Sequence, residues 1–137
     1  MKQIGMVLLI FILITSTLLG CGKRDVNIDL ENITVSEIKK IEHIGTTGGI
    51  DGDYLYSFSD NEVVEFIELL NQVKLGDKVD ENKALSNGAV SYYTIYFATD
   101  KTLTISPGKN FKIEDTFYEF DNYDELWDEF IVFNSIK

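Results

Sequence analysis

The pattern of hydrophobic and polar positions separates an apolar N-terminal run from a longer region with alternating and helical patterns. Residues 4–14 are apolar or glycine without interruption, and Lys2 places a positive charge before them. This run has the length of a signal-peptide hydrophobic region and is shorter than the roughly 18 residues that a membrane-spanning helix needs. We therefore expect the run to direct export and to lie outside the folded domain.

Two segments have the spacing of amphipathic helices. Ser59 followed by Glu62 predicts a capping box at the start of the first, and Gly76 predicts its end. The apolar stripe of the first helix is Val63, Phe66, Ile67, Leu70 and Val73. Asn122 followed by Glu125 predicts a second cap. The stripe of the second helix is Tyr123, Leu126 or Trp127, Phe130 and Phe133. Both helices are expected to pack on a sheet.

Alternating positions predict the strands. Residues 33–44 favour a strand, although Ile38 and Ile41 also fit a helical turn, and residues 54–58 alternate clearly. The glycine-rich residues 45–53 between them predict a loop that joins antiparallel strands rather than a phosphate site. Residues 90–105 predict a hairpin that turns at Asp100 and Lys101.

In that hairpin, one face is expected to carry Tyr93, Ile95, Phe97, Leu103 and Ile105, and the opposite face Tyr92, Thr94 and Tyr96. A shorter hairpin is predicted over residues 111–120, with its turn at 114–116. Residues 76–89 are polar and predict a long loop, which is either functional or a mobile excursion without a role. The fold class is therefore α+β, with an antiparallel sheet of about four to six strands packed by two helices.

Cysteine occurs once, in Leu18-Leu19-Gly20-Cys21 at the end of the apolar run. These residues resemble the lipobox of bacterial lipoproteins. The resemblance implies cleavage between Gly20 and Cys21 and attachment of a diacylglycerol to the Cys21 thiol, with acyl chains such as palmitate as the lipid anchor. The protein would then lie on the outer face of the cell membrane. An uncleaved anchor over residues 4–19 and an ordinary secretory signal with a chance cysteine are the alternatives, and both also imply export.

The domain organisation follows from this resemblance. Residues 1–20 form the signal peptide, residues 21–32 the lipidated terminus and a tether, and residues 33–137 a single extracytoplasmic domain. The alternation within residues 25–32 also fits an edge strand.

The charge balance restricts the partners. The chain has 12 basic and 23 acidic residues, a net charge of −11. Loss of Lys2 with the signal peptide leaves 11 basic residues against 23 acidic ones, which is −12. Such a charge argues against nucleic acid, which is bound by clustered Lys and Arg. It also argues against adsorption to an anionic membrane, so the lipid has to provide the attachment.

The sequence offers little catalytic chemistry, and we predict no catalytic residue, no cofactor and no metal ligand. Cys21 is consumed by the lipid, and His43 is the only imidazole, expected to be a partly exposed structural residue on a strand. Zinc sites need several His or Cys residues. A carboxylate cluster that binds a hard cation is the alternative to a solvated acidic surface. Its members would be Glu114, Asp115, Glu119, Asp121, Asp124, Glu125, Asp128 and Glu129.

The segments with the clearest patterns resemble the small extracytoplasmic domains of surface lipoproteins of Gram-positive bacteria. They are the helix after Ser59, the hairpin that ends at Pro107-Gly108, and the closing helix with Trp127. The resemblance implies fold class and location only. We expect a non-enzymatic module that binds an envelope protein or peptide through an exposed sheet face or the loop at 76–89. The alternatives are an immunity-type lipoprotein that sequesters a cationic antimicrobial peptide, a small carboxylate-dependent hydrolase, and a spacer in the envelope.

Overall fold

The computed structural model describes residues 29–46, 52–84 and 90–135. Within these ranges the chain forms seven β-strands, three α-helices and two short 3₁₀ turns, Leu30–Asn32 and Val35–Glu37. The strands are β1 (Ile38–Thr46), β2 (Asp53–Ser57), β3 (Leu75–Val79), β4 (Val90–Phe97), β5 (Thr102–Ser106), β6 (Asn110–Ile113) and β7 (Thr116–Phe120). The helices are α1 (Asp60–Leu70), α2 (Glu81–Ala84) and α3 (Tyr123–Asn134).

All seven strands belong to one sheet in the order β2-β1-β4-β5-β6-β7-β3, and every neighbouring pair is antiparallel. The predicted α+β class and antiparallel sheet are confirmed. The predicted count of four to six strands is wrong, because β3 was not recognised as a strand. It forms one edge of the sheet next to β7, and β2 forms the other edge.

The prediction of a loop over residues 76–89 is wrong for the part of it that the structure describes. β3 and α2 occupy most of it, while residues 85–89 lie outside the described residues. An edge strand has a neighbour on one side only and exposes much of its surface, so polar residues are tolerated there. Leu75 is the residue of β3 that packs against the core, and the remaining residues give no apolar alternation.

The hydrophobic core lies on one face of the sheet, between the strands and the two longer helices. Phe66 of α1 lies at its centre, with its ring 4.6 Å from the ring of Tyr93 in β4 and 5.1 Å from that of Phe133 in α3. Leu30 is also buried in this core, so the packed chain includes residues just before the predicted start at Ile33. The predicted inward positions of the β4–β5 hairpin are confirmed: Tyr93, Ile95, Leu103 and Ile105 are buried, and Phe97 packs against the core.

The predicted cap of α1 is confirmed in atomic detail. The backbone N–H and the hydroxyl of Ser59 donate to Glu62 Oε2 at 2.6 and 2.8 Å, and the hydroxyl of Tyr56 donates to the same carboxylate at 3.0 Å. The helix ends at Leu70, six residues before the predicted stop at Gly76. Val73 is buried as predicted, but it lies in the connection that follows the helix.

Asn122 precedes α3 as predicted, but its predicted role as a capping residue is wrong. Its side chain makes no capping hydrogen bond. Oδ1 instead accepts from the backbone N–H of Lys74 at 2.8 Å, and Nδ2 donates to the carbonyl of Gln72 at 2.9 Å. The buried amide thus fixes the α1–β3 connection to the start of α3, and this satisfies two backbone groups that would otherwise be buried without partners.

The cap provides a pH-dependent prediction. Burial alone would raise the pKa of Glu62, but the hydrogen bonds from Ser59 and Tyr56 outweigh this effect and hold the pKa below its ordinary value. A carboxyl whose folded pKa is lowered stabilises the fold above its unfolded pKa, and this contribution is lost as the pH falls through the folded pKa. We expect Glu62→Gln to reduce the free energy of unfolding by about 1 kcal/mol at pH 7. The difference from wild type should shrink as the pH falls below about 4.

Urea unfolding at pH 7 and pH 3, followed by tryptophan fluorescence, measures this difference. Glu65→Gln on the exposed side of the same helix serves as the control, and we expect little change from it at either pH. A Glu62→Gln deficit of equal size at both pH values would contradict the role given to the carboxylate.

Candidate functional site

The face of the sheet opposite the core, which we call the outer face, carries a row of mostly apolar side chains, which is interrupted in β5 by Ser106 beside Lys112. Register pairs place Leu55 beside Ile44 and Ile44 beside Tyr92. Further along the same face, Lys112 lies beside Phe117, and Phe117 beside Val79. We call these six residues the outer row. None of them belongs to the core cluster, and Leu55 and Ile44 are 65% and 42% exposed.

Lys112 links the two halves of the outer row. Its Nζ lies 5.3 Å from the centre of the Phe117 ring and 5.9 Å from that of the Tyr92 ring. An ammonium group at these distances from two aromatic rings interacts with their π-systems while its side-chain methylenes cover apolar surface. The charge therefore leaves the apolar and aromatic character of the row largely intact.

A polar cluster of Lys40, Glu42 and Tyr96 lies next to the outer row. Glu42 Oε1 accepts from Lys40 Nζ at 2.5 Å, and Oε2 accepts from the Tyr96 hydroxyl at 2.8 Å. The Lys40 hydrogen bond, followed by that of Tyr96, lowers the pKa of Glu42, and the same carboxylate raises the pKa of Tyr96. A general acid at neutral pH needs a raised carboxyl pKa, so the shift at Glu42 fits an ion pair better than acid catalysis.

His43 does not occupy the partly exposed position that the sequence predicts, and this expectation is wrong. It is fully buried on the core face of β1, stacked on Tyr93 at 4.5 Å, and its Nε2 lies 3.4 Å from the Tyr54 hydroxyl. The register shift between Ile38 and Lys40 explains the error. Ile38 packs against the core, and unbroken alternation from it would place His43 on the opposite face. Beyond the shift, the alternation directs Lys40, Glu42 and Ile44 outward and His43 inward.

The tyrosines around His43 form a separate hydrogen-bonded group on the core side, which reaches the end of α3. The Tyr93 hydroxyl donates to Asn134 Oδ1, and the Tyr54 hydroxyl donates to the Asn134 carbonyl at 3.3 Å. Burial raises the pKa of Tyr93, so its hydroxyl stays protonated and serves as a donor. Gly45 makes room for Tyr54, because a Cβ at position 45 would overlap the tyrosine ring. These contacts join β1, β2 and β4 to the terminal helix, which is a structural role.

The acidic residues considered for a cation do not gather into one site in the described part of the chain. Within residues 29–46, 52–84 and 90–135, no three His, Cys, Asp or Glu side chains form a group that could hold a metal ion. Glu119 and Asp121 both approach Gly76, where a Cβ would lie 2.9 Å from Glu119 Oε2 and 2.5 Å from Asp121 Oδ1. Asp124, Glu125, Asp128 and Glu129 are all exposed on α3.

No family model, curated protein or solved structure matches the chain. The residues of the fold itself therefore carry the functional argument.

The candidate lipidation and cleavage residues, Cys21 and Gly20, lie outside the described residues, as do most of the predicted tether and the centre of the glycine-rich loop. No helix in the described part of the chain is long and apolar enough to cross a membrane. The strands on both sides of the glycine-rich loop are antiparallel, as predicted.

Sequence reasoning recognised parts of the outer row but did not assemble them. The alternation of residues 92–96 correctly predicts that Tyr92 shares a face with Thr94 and Tyr96. That Leu55, Phe117 and Val79 lie on this face depends on which strands pair, and local alternation carries no information about pairing. The one local signal in the sequence was Leu55. It shares a strand face with the polar residues Asp53 and Ser57, which indicates an exposed apolar side chain.

Proposed function

We propose that the chain is attached by a lipid to the outer face of the cell membrane. Its domain binds an envelope protein or peptide through the outer face of the sheet. The observation that carries the binding function is the outer row. Apolar and aromatic side chains that cluster on an exposed face mark interaction sites more often than scattered ones do. Aromatic residues in particular are enriched at the centre of protein interfaces.

The shape of the site supports binding rather than turnover. The row crosses a sheet, and a sheet face offers a broad surface to a macromolecule rather than the enclosed pocket that small substrates need. Two of the cationic groups on this face are paired or stacked, Lys40 with Glu42 and Lys112 over Phe117. Such groups surround an apolar interface without leaving an unpaired charge to be buried.

The lipobox residues support the location. A lipid at Cys21 would hold the domain near the membrane, and its acidic charge would keep it from lying flat on anionic lipids. Two or more acyl chains are needed for stable attachment, and the diacylglycerol supplies them.

The binding function is tested by Ile44→Glu. Ile44 lies within the outer row, and a buried unpaired carboxylate at an interface costs several kcal/mol, so we expect capture of the partner from detergent-solubilised membranes to fall at least tenfold. Val64→Glu is the matched control, since Val64 is 38% exposed on α1 against 42% for Ile44 and lies on the helical side. The measurement is quantitative mass spectrometry of proteins retained by the immobilised full chain.

Equal capture by both variants and the wild type would refute the outer face as the binding surface. Loss of capture by Val64→Glu alone would place the site on the helices instead.

The helices favour a second candidate function, interception of cationic antimicrobial peptides. All ionisable side chains of α1 and α3 other than tyrosine are acidic: Asp60, Glu62, Glu65 and Glu68 in α1, and Asp124, Glu125, Asp128 and Glu129 in α3. An acidic surface attracts cationic peptides and raises their local concentration. A strain that lacks the protein and keeps its full resistance to such peptides would exclude this function.

A further inference from the structure

Strand β2 is an edge strand with a regular backbone and an exposed apolar residue at its centre. It pairs with β1 on one side through five consecutive register positions without a shift, and within the described residues no strand lies on its other side. Leu55 is the middle residue of the five and, at 65%, is the most exposed of the large hydrophobic residues in the described chain.

The hydrogen-bond phase of β2 follows from one contact at its end. The backbone N–H of Phe58 donates to the carbonyl of Ile41 at 3.0 Å, so these two residues form a hydrogen-bonded pair of the antiparallel ladder. Hydrogen-bonded pairs alternate along such a ladder, so Tyr56 and Tyr54 also direct their backbone groups to β1. The N–H and C=O groups of Asp53, Leu55 and Ser57 therefore point away from the sheet.

The two edges of the sheet differ in their protection. β3 has a register shift between Leu75 and Lys78 and carries Asp77 and Lys78. Bulges and lysines are the devices by which proteins prevent pairing of edge strands. β2 has neither of them, so its outward backbone groups remain a template for a further strand.

We propose that β2 pairs antiparallel with β2 of a second copy of this chain, about a twofold axis that passes beside Leu55. This register makes a hydrogen-bonded pair of Leu55 with Leu55 of the second copy, and pairs Asp53 with Ser57 of the second copy. Each outward N–H and C=O then meets a partner. An isologous contact of this kind closes as a dimer and leaves the β3 edges outside.

The charges on β2 suit a second copy. Asp53 is the only charged residue of the strand and lies opposite a serine, so the pairing sets no like charges against each other. The two Asp53 side chains lie four positions apart along the strand direction, about 13 Å, which exceeds the Debye length of about 8 Å at physiological ionic strength.

The dimer also extends the outer face. Both Leu55 side chains lie on the same side of the joined sheet, so each covers the apolar surface of the other. The two outer rows then meet end to end, from Val79 of one copy to Val79 of the second. A partner that binds the outer face would meet one surface of twice the width.

Disulfide cross-linking of the full chain in membranes tests this pairing. In a hydrogen-bonded antiparallel pair the Cα atoms lie about 5.5 Å apart, within the range of a disulfide. We expect Leu55→Cys to give a covalent dimer on a non-reducing gel under mild oxidation, at least ten times the amount from Val132→Cys. Val132 is the matched control because it is 63% exposed but lies on α3. The wild-type chain, with Cys21 as its one cysteine, shows any contribution from that thiol.

Sedimentation of detergent-solubilised full chain provides a measurement that needs no cysteine. We expect Leu55→Lys to shift the protein to the monomer and Val132→Lys to leave the dimer unchanged. A Leu55→Cys chain that forms no more dimer than the control, or that cross-links to a different polypeptide, would overturn the proposal, as would a wild-type chain that sediments as a monomer. None of these three results would bear on partner capture by the outer face, because that assay depends on Ile44.

Discussion

Phe66→Ala is expected to lower the free energy of unfolding by about 3–5 kcal/mol, the range measured for removal of a buried aromatic ring. Phe66 is fully buried, and its ring lies between 4.6 and 6.1 Å from four others, those of Phe58, Tyr93, Phe130 and Phe133. These four rings belong to α3, to β4 and to the residue after β2. The cavity left by alanine would therefore weaken the packing of α1 against both the sheet and α3. A loss of this size is a large part of the 5–15 kcal/mol by which a small domain is stable.

Urea unfolding at neutral pH, followed by circular dichroism, measures the effect. Val64→Ala is the control on the same helix, because Val64 is 38% exposed, and we expect it to cost less than about 1 kcal/mol. Phe66→Leu should fall between the two, since it keeps part of the apolar volume. A Phe66→Ala cost as small as that of Val64→Ala would show that α1 is not packed on the sheet as described.

Cys21→Ser is expected to abolish lipid attachment completely. The thiolate is the nucleophile that forms a thioether, and a serine hydroxyl does not replace it in this reaction. Cells fed a fatty acid with an alkyne tag should label the wild-type chain and leave the variant unlabelled. Mass spectrometry of the wild-type protein extracted from membranes should find a chain that begins at Cys21 and carries the added mass of the lipid.

Thr17→Ser is the control for this experiment, because it changes a neighbouring residue and keeps Leu18-Leu19-Gly20-Cys21 intact. We expect normal labelling of this variant. A wild-type chain that keeps Met1 and carries an unmodified Cys21 would refute the lipid anchor and favour an uncleaved apolar segment.

The elements that the sequence predicted well are those with a strong local pattern. The capping box of Ser59 and Glu62 depends on residues three positions apart, and the hairpin of β4 and β5 depends on alternation over a few residues. Both patterns arise from short-range geometry, which the order of residues carries directly.

The elements that were missed depend on contacts between distant segments. β3 has too few apolar residues to show alternation, and it is a strand because β7 pairs with it. The burial of His43 depends on a register shift at the start of β1, and the charged neighbours Lys40 and Glu42 suggested exposure instead. Asn122 was a plausible cap from its local sequence, but its partners Gln72 and Lys74 lie 50 and 48 positions away.

The candidate site also combines features that local sequence predicts with features that depend on distant contacts. Tyr92 could be assigned to a face of its strand from its neighbours, whereas the outer row joins residues from Ile44 to Phe117. Which strands are adjacent decides that row, and adjacency is a property of the whole topology. Cys21 is the opposite case, because its predicted chemistry rests entirely on adjacent residues.

The pairing of β3 with β7 has a consequence for folding. About forty residues separate these strands along the chain, and they include β4, β5 and β6, although β3 and β7 are neighbours in the sheet. Contacts of long sequence separation form late, since the loop between them must be closed first. A chain cut after β5 would leave β3 without its neighbour and α1 without the terminal helix it packs against. The sheet can therefore be completed only when the last third of the polypeptide is present, and partial chains would expose apolar surface to aggregation or proteolysis.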